Sequence, residues 1–543
     1  MKLIDSNITK HLPKITLDYV NNDSSVFEFY GRDNQLENYQ DQILDKKKNY
    51  NNDFRKPLTD LLASNYKKVP ENSFQNDAIN KLKNSNTFTV TTGHQLNLFT
   101  GPLYFFYKII DAINLCKKLK HKYPKNEFIP IYWMASEDHD YKEINFFKTN
   151  NKKFHWDVST KGAVGHLEPS SLDSLFNEMI DFFGNESINS KKLLKLFKNA
   201  YLNNDNLSDA TFDLVHSIFG RHGLLILNPD DAKLKKIICA DVIDEIKNNN
   251  CYNNVTQTNK SLVNINIKPQ VNPREINLFY LKNNLRSRIQ RVNSVYKVLE
   301  TDFSFSENQI INEINNFPER FSPNVLFRPF FQEKILPNLA YVGGGSEIAY
   351  WLQLKNFFIS KDLLFPILVV RNSVLLVSQK IKKKCKKLEI QIPNIFKNSN
   401  ELSVFYLSKI VKEEIDLTSL KKSINDNFNK LYEFSLKTDK SFLGSLKAQE
   451  IKQLKGIENL EKKLIKAHKK KHKEKIERLK LIKEELFPNN SLQEREINFS
   501  PLTSQGYSVK KSSAIAAGLI DKGSSKPNIC RDWTLVKKME KMK

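Results

Sequence analysis

TFTVTTGHQLNLFTGPLYFFYKIIDAINLCKKLKHKYPKNEFIPIYWM, residues 87–134, decides the fold class. Its first six residues, TFTVTT, alternate β-branched and aromatic side chains and run into Gly93, the pattern of a strand entering a turn. Residues 93–102 read as a loop. From Leu103 to about Lys120 the apolar positions Phe106, Ile109, Ile110, Ile113 and Leu119 recur at helical spacing. FIPIYWM (128–134) is then a second, fully buried strand. Strand, loop, helix and strand in one short stretch make a βαβ unit, which calls for a parallel sheet with a right-handed crossover.

Outward from that unit, GLLILNPDD (223–231) is another buried strand that breaks into a Pro/Asp turn, and a further strand region covers 365–377. Residues 1 to about 85 are polar and read as helical or irregular, and 151–215 as an inserted, mixed segment. After about Lys380 the texture changes. Ile410, Ile415, Leu420, Ile424, Phe428 and Leu431 keep helical spacing, and Leu443 through Leu464 and Ile476 through Leu486 continue it between lysines and glutamates. Long helices with a narrow apolar seam predict an antiparallel hairpin or coiled coil, its seam buried in cis or in a dimer. Pro488 stops the last helix.

Composition bounds the function. Of 543 residues 40 % are hydrophobic and 27 % charged, which is globular, with room for about three to four domains. Lys plus Arg is 85 against 61 Asp plus Glu, a net charge of +24 that invites a polyanionic partner. However, residues 452–486 alone hold 13 basic against 6 acidic side chains, so much of the excess sits on the helical hairpin. None of the five cysteines forms a CxxC pair, which argues against a zinc ribbon or a thioredoxin-type site and fits a reducing cytoplasm. No apolar leader opens the sequence and no run reaches about 18 apolar residues, so neither a signal peptide nor a membrane span is expected.

Four segments carry candidate chemistry. TTGHQLNLFTGP (91–102) lies at the strand-to-helix turn, where backbone amides favour an anion and Gly93 permits close approach; a glycine turn with His94 as a structural histidine meets the same pattern. ASEDHDYKEI (135–144) follows the second strand, at the edge where open α/β sheets bind ligands. Its consecutive Glu137, Asp138, His139 and Asp140 can bind an ammonium or a metal, supply a general base, or simply cap a helix. KPQVNPREINLFYL (268–281) presents Asn272 and Arg274 on a Pro-bracketed turn; an arginine fork suits carboxylate or phosphate, and an exposed hairpin with an ion pair is the alternative. The fourth, RFSPNVLFRPFFQEKILPNLAYVGGGSEIAYW (320–351), places Arg328 and Gln332 in an apolar run. Gly343, Gly344 and Gly345 then precede a helix with Ser346 as its N-cap, a second candidate anion cradle or a plain turn. Cys116 and Cys239 read as core, Cys385 as a surface residue.

Together these four segments, with RHGLLILNPDD (221–231) and SLQERE (491–496), resemble in order and spacing the bacillithiol biosynthesis cysteine-adding enzymes over residues 1–498. The resemblance implies an α/β fold with a Rossmann-like parallel-sheet core like that of class I nucleotidyltransferases. This core spans 1–385, with connecting-peptide insertions at about 151–215 and about 255–320. An α-helical coiled-coil domain over 386–490 supports a homodimer. The segment 491–543 departs from the family pattern after 498 and reads as disordered.

The implied reaction joins the carboxyl of L-cysteine to the amine of glucosaminyl-malate. ATP or another nucleotide activates the carboxyl, as an acyl-adenylate in the related folds, with no metal, nucleic acid or membrane. Read residue by residue, Gly93, His94 and Gln95 stand where relatives hold a transferring phosphate. Lys108, Arg274 and Arg328 are placed to clamp the two malate carboxylates, and Asn272, Gly343, Gly344, Gly345 and Ser346 to border the pocket. Glu137, Asp138 and Asp140 suit the ammonium groups, and one of them or His139 takes the amine proton. The competing readings are an RNA-binding synthetase-like protein and a non-catalytic dimeric scaffold. The basic run lacks interleaved aromatics and no RNA-binding module is present.

Overall fold

The computed structural model describes residues 2–70, 72–149, 152–158, 160–282, 284–410, 417–435, 441–504 and 533–539. The chain divides into two compact units. One is built from residues up to Leu375 with the returning segment from Gln493, the other from Leu376–Leu492.

The first unit is organised by β1 (Thr87–His94), α1 (Tyr104–Lys122) and β2 (Glu127–Met134), the predicted βαβ unit. β1 and β2 pair in parallel from Thr87↔Glu127 to His94↔Met134. With β3 (Leu225–Leu227), β9 (Asn338–Gly343) and β10 (Ile367–Val370) they form a five-stranded parallel sheet in the order β10-β9-β1-β2-β3. Strands covered on both faces are buried throughout: β2 reads as a near-continuous hydrophobic run, while in β1 the buried hydroxyls of Thr89, Thr91 and Thr92 are taken up by Asn338 Oδ1 and Val342 O. Phe88, Val90, Phe128, Val342 and Ile367 pack with Ala112, Leu115 and Leu119 of α1 and with Tyr39 and Ile43 of the helix Tyr39–Asn49. Each such side chain contributes about 1.5–3 kcal/mol through burial.

Between β3 and β9 the chain builds a second, antiparallel sheet: β4 (Leu278–Lys282), β5 (Leu285–Val292), β6 (Val295–Val298), β7 (Ser304–Phe305) and β8 (Phe321–Pro323), in the order β7-β6-β5-β4-β8. The approach to β4 is anchored by Glu245, wholly buried, whose carboxylate accepts Asn277 N (3.2 Å), Asn277 Nδ2 (2.9 Å) and Cys251 N (2.8 Å). Burial pushes this carboxyl up to about 7.

α2 (Phe327–Ile335) leads into β9, and α3 (Gly345–Trp351) follows it. The expected N-cap at Ser346 is displaced. The cap is Gly344, because Glu347 Oε2 accepts Gly344 N at 2.7 Å and so serves the helix start from within.

The loop between β1 and α1 is strained. Phe99, Thr100 and Gly101 all have positive φ (48°, 70° and 60°). The segment after Gln493 holds it. Asn498, wholly buried, donates from Nδ2 to Phe99 O (2.8 Å) and Gly101 O (2.6 Å), and Phe499 packs on Phe99 and Phe106. The tail read as disordered is ordered in two parts: Ser500–Ser504 is helical, and the strand Trp533–Met539 pairs in parallel with Lys2–Asp5, while 505–532 and 540–543 lie outside the described residues.

In the second unit, Thr418–Ser435 and Ser441–Lys471 pair as an antiparallel hairpin: Lys421 meets Glu461 at 2.7 Å and Tyr432 Oη donates to Glu450 at 2.8 Å. The helix Lys473–Leu486 stops before Pro488, as expected. Cys385 is a correction: it is 4 % exposed, on the inner side of Gln379–Lys387, and burial pushes its thiol up to about 11. No helix among the described residues is long and apolar enough to cross a membrane.

Candidate functional site

A cleft of about 940 Å³ opens at the carboxyl ends of the parallel strands. The strand order explains the place. From β1 the chain moves to one side, to β2 and β3, and later returns to the other side as β9 and β10. The loops leaving β1 and β9 therefore part, and such a switch point is where open α/β sheets leave a crevice.

Across that crevice Lys108 of α1 joins both loops. Its buried ammonium donates to Gly93 O and to Glu347 Oε1 (2.8 Å), which also accepts Tyr341 Oη (3.1 Å). Burial alone would raise the Glu347 carboxyl, but Lys108 and the Gly344 and Tyr341 hydrogen bonds hold it below its ordinary value. The His94 ring lies edge-on to Tyr104 and tilted against Phe105, with Nε2 buried and unpaired. Burial and the charges of Lys108 and Arg371 push its imidazole well down, so it is neutral. A Cβ at Gly93 would sit 3.3 Å from Tyr341 Oη and 3.5 Å from Arg328 Nη1, so glycine leaves space beside that guanidinium.

The acidic segment lines the opposite wall, and its first two carboxylates, Glu137 and Asp138, differ. Glu137 is buried against Lys235, whose ammonium is fully satisfied by Glu137 Oε1 (2.5 Å), Asp230 Oδ1 (2.8 Å) and Glu319 O (2.8 Å). Burial and the Asp230 charge raise the Glu137 carboxyl despite Lys235. Asp138 moves the other way. Burial opposes its charge, but hydrogen bonds from His139 and from Gln95 (Nε2 to Oδ2, 2.8 Å) and the nearby Arg286 hold it well below the carboxylate range. His139 Nδ1 faces Arg286 Nη1 at 2.6 Å, and since a guanidinium only donates, Nδ1 is the acceptor.

The rest of the lining is strongly basic. Arg274, Arg288 and Arg495 are exposed on it with no carboxylate partner among the described residues. Arg328 and Arg371 reach it from beneath, with Arg328 Nη2 and Arg371 Nε buried and unpaired. Arg371 is otherwise tied to Glu494 at 2.8 Å and lies 5.0 Å from the Tyr104 ring. The cationic groups outnumber the carboxylates, and the carboxylates are mostly engaged. The cleft can therefore take a ligand with more than one negative group, and the orphaned donors under Gly93 and Gly344 fit a phosphate or carboxylate.

Of the residues singled out from sequence, Gly93, His94, Gln95, Lys108, Glu137, Asp138, His139, Asn272, Arg274, Arg328, Gly344, Gly345 and Ser346 line this one cleft. Asp140 and Gly343 do not. Asp140 is exposed at the start of the short helix Tyr141–Ile144, and Gly343 is held inside β9 with its carbonyl accepting Arg371 N at 2.8 Å. Sequence reasoning missed Glu347, Arg371, Arg286, Arg288, Arg495 and Lys235. For Arg286 and Arg288 a signal existed: two residues apart on a strand, they share a face. Lys235 gave none, because Asp230 is near in sequence but Glu137 and Glu319 come from 98 and 84 residues away.

Comparison with known proteins agrees with this architecture. A family model described as bacillithiol biosynthesis BshC, N-terminal Rossmann-like domain, matches residues 1–372, and one described as its C-terminal coiled-coil domain matches 374–512. A Christiangramia forsetii protein named "Putative cysteine ligase BshC" is 46 % identical over 498 residues, covering 91 % of this chain and 92 % of the relative. Relatives of the same name from Flavobacterium johnsoniae (46 % over 493 residues, 90 % and 92 % covered) and Cytophaga hutchinsonii (36 % over 442 residues, 81 % and 83 %) are similar along most of their length.

Proposed function

The chain belongs to the bacillithiol biosynthesis BshC family, and we propose that it is a cysteine ligase that joins the carboxyl of L-cysteine to the amine of glucosaminyl-malate. The observation that carries this reading is the cleft itself, with unpaired arginines facing two carboxylates of opposed proton affinity.

The chemistry divides among the residues. Glucosaminyl-malate brings two carboxylates, and Arg274, Arg288 and Arg495 offer unengaged guanidinium groups to clamp them. Only a neutral amine attacks a carboxyl carbon. Glu137, with its raised proton affinity and its position in the cleft, suits the general base. Asp138, held ionised, suits an ammonium instead. Carboxyl activation needs a co-substrate, and this reading gives that role to ATP or another nucleotide, with support from the crevice beside Gly93. There Gly93 leaves room and His94 Nε2, Arg328 Nη2 and Arg371 Nε lack partners. A homodimer through the helical unit belongs to the same reading, supported by exposed Leu431, Phe434, Phe442, Ile451 and Leu460.

The test is direct. Incubation with L-cysteine, glucosaminyl-malate and ATP, followed by thiol labelling and mass spectrometry, yields bacillithiol. Folded protein that makes no product, with normal bacillithiol in a strain lacking the gene, overturns the reading.

A further inference from the structure

Lys46 and Glu333 are an ion pair sealed in the core, 2 % and 0 % exposed in their side chains, with Nζ and Oε2 3.8 Å apart. Such a pair is a poor source of stability, because desolvation cancels much of its attraction. What the carboxylate does fix is the direction of an amide. Glu333 Oε1 accepts Gln332 Nε2 (2.9 Å) and Asn338 Nδ2 (2.7 Å). An amide pinned through its NH₂ turns its carbonyl outward, and Gln332 Oε1 accepts Arg328 Nη1 at 2.9 Å. Asn338 is pinned in the same sense, its Oδ1 accepting the hydroxyls of Thr89 (3.1 Å) and Thr91 (2.8 Å) on β1.

An alternating chain, Lys46–Glu333–Gln332–Arg328, thus runs from an N-terminal helix to the cleft floor. At its end Arg328 keeps one buried donor, Nη2, without a partner. Without Glu333 Oε1 as acceptor, Gln332 is free to present its NH₂ to the guanidinium, which accepts nothing.

We propose that Gln332 and Glu333 are positioning residues that aim Arg328 at a negatively charged group, carboxylate or phosphate, of a ligand in the cleft. This rests on the cleft being the ligase site. The experiment is a double-mutant cycle with steady-state kinetics in L-cysteine, glucosaminyl-malate and ATP in turn. Gln332→Met is expected to raise KM for the substrate bearing that group about tenfold, the loss of about one charge-assisted hydrogen bond, with kcat falling less than KM rises. KM for L-cysteine or glucosaminyl-malate marks a carboxylate, and KM for ATP the phosphate. Arg328→Ala is expected to raise the same KM, and adding Gln332→Met to it to do little more, because the two act as one unit.

If Arg328→Ala raises a KM but Gln332→Met raises none, or the two effects simply add, the positioning role is overturned while the site stands. If Arg328→Ala changes none of the three KM values, the reading of the site fails with it. Should Gln332→Met not fold, Lys46→Met with Glu333→Met removes the ion pair together with the acceptor that pins Gln332. That pair is expected to raise the same KM, and an unchanged KM overturns the proposal.

Discussion

Asn498 should be worth more than an ordinary surface-to-core contact, because it restrains a turn that would otherwise relax. Its Nδ2 serves two buried carbonyls, Phe99 O at 2.8 Å and Gly101 O at 2.6 Å, and its Oδ1 accepts Ser500 N at 2.9 Å. Asn498→Ala leaves both carbonyls without a donor. At about 1–3 kcal/mol for each unsatisfied buried group, the expected loss is about 2–6 kcal/mol. The left-handed Phe99 and Thr100 each store about 1–3 kcal/mol, so the loop should move rather than keep its path. That movement reaches the start of α1, where Tyr104 and Lys108 enter the cleft.

Asn498→Asp should be worse than alanine, since it sets a carboxylate oxygen against two carbonyl oxygens. Chemical denaturation should give the order wild type, alanine, aspartate, and hydrogen exchange should quicken over residues 97–104. A change below about 0.5 kcal/mol for alanine, or an aspartate variant as stable as wild type, would refute the reasoning, since that is the scale of an ordinary surface substitution.

Further outcomes follow from the same geometry. Lys235→Met leaves Glu137 and Asp230 buried together without their cation, and should cost about 3–5 kcal/mol at neutral pH. The loss should shrink as acid protonates the carboxyls; denaturation at several pH values checks this. Glu245 sits at about 7 against 4.5 unfolded, so its contribution is full below 4.5 and is lost as pH rises to about 7, about 3 kcal/mol in all. Glu245→Gln should therefore flatten the fall in stability over that window, and an unchanged slope counts against the assignment. Gly93→Ala should press on Tyr341 and Arg328, costing about 1 kcal/mol of stability while raising KM severalfold in the ligase assay.

Much of the site was legible because its parts sit where strands end. Gly93 and His94 close β1, Glu137 and Asp138 follow β2, and Gly344 follows β9, and each ending showed as an apolar run breaking into Gly or acid. Asp140 and Gly343 were over-read for the same reason: adjacency in sequence says nothing about which side of a turn a residue faces. Cys385 was misread because its lysine neighbours hid the inward side of an amphipathic helix.

The sequence by itself determined the local elements, the βαβ unit, the basic helical hairpin and the motifs that mark the family. Their information is short-range, carried by periods of two and 3.6 residues. Tertiary structure alone decided that β9 lies beside β1, with Ala340 opposite Val90, and so where the strands part to make the crevice. It also decided which charges pair, Lys108 with Glu347 and Glu137 with Lys235, and that the antiparallel sheet brings Arg286 and Arg288 to the cleft. Those choices depend on which surfaces bury together across hundreds of residues. A buried charge takes whichever partner the packing brings within reach, and no local pattern records it.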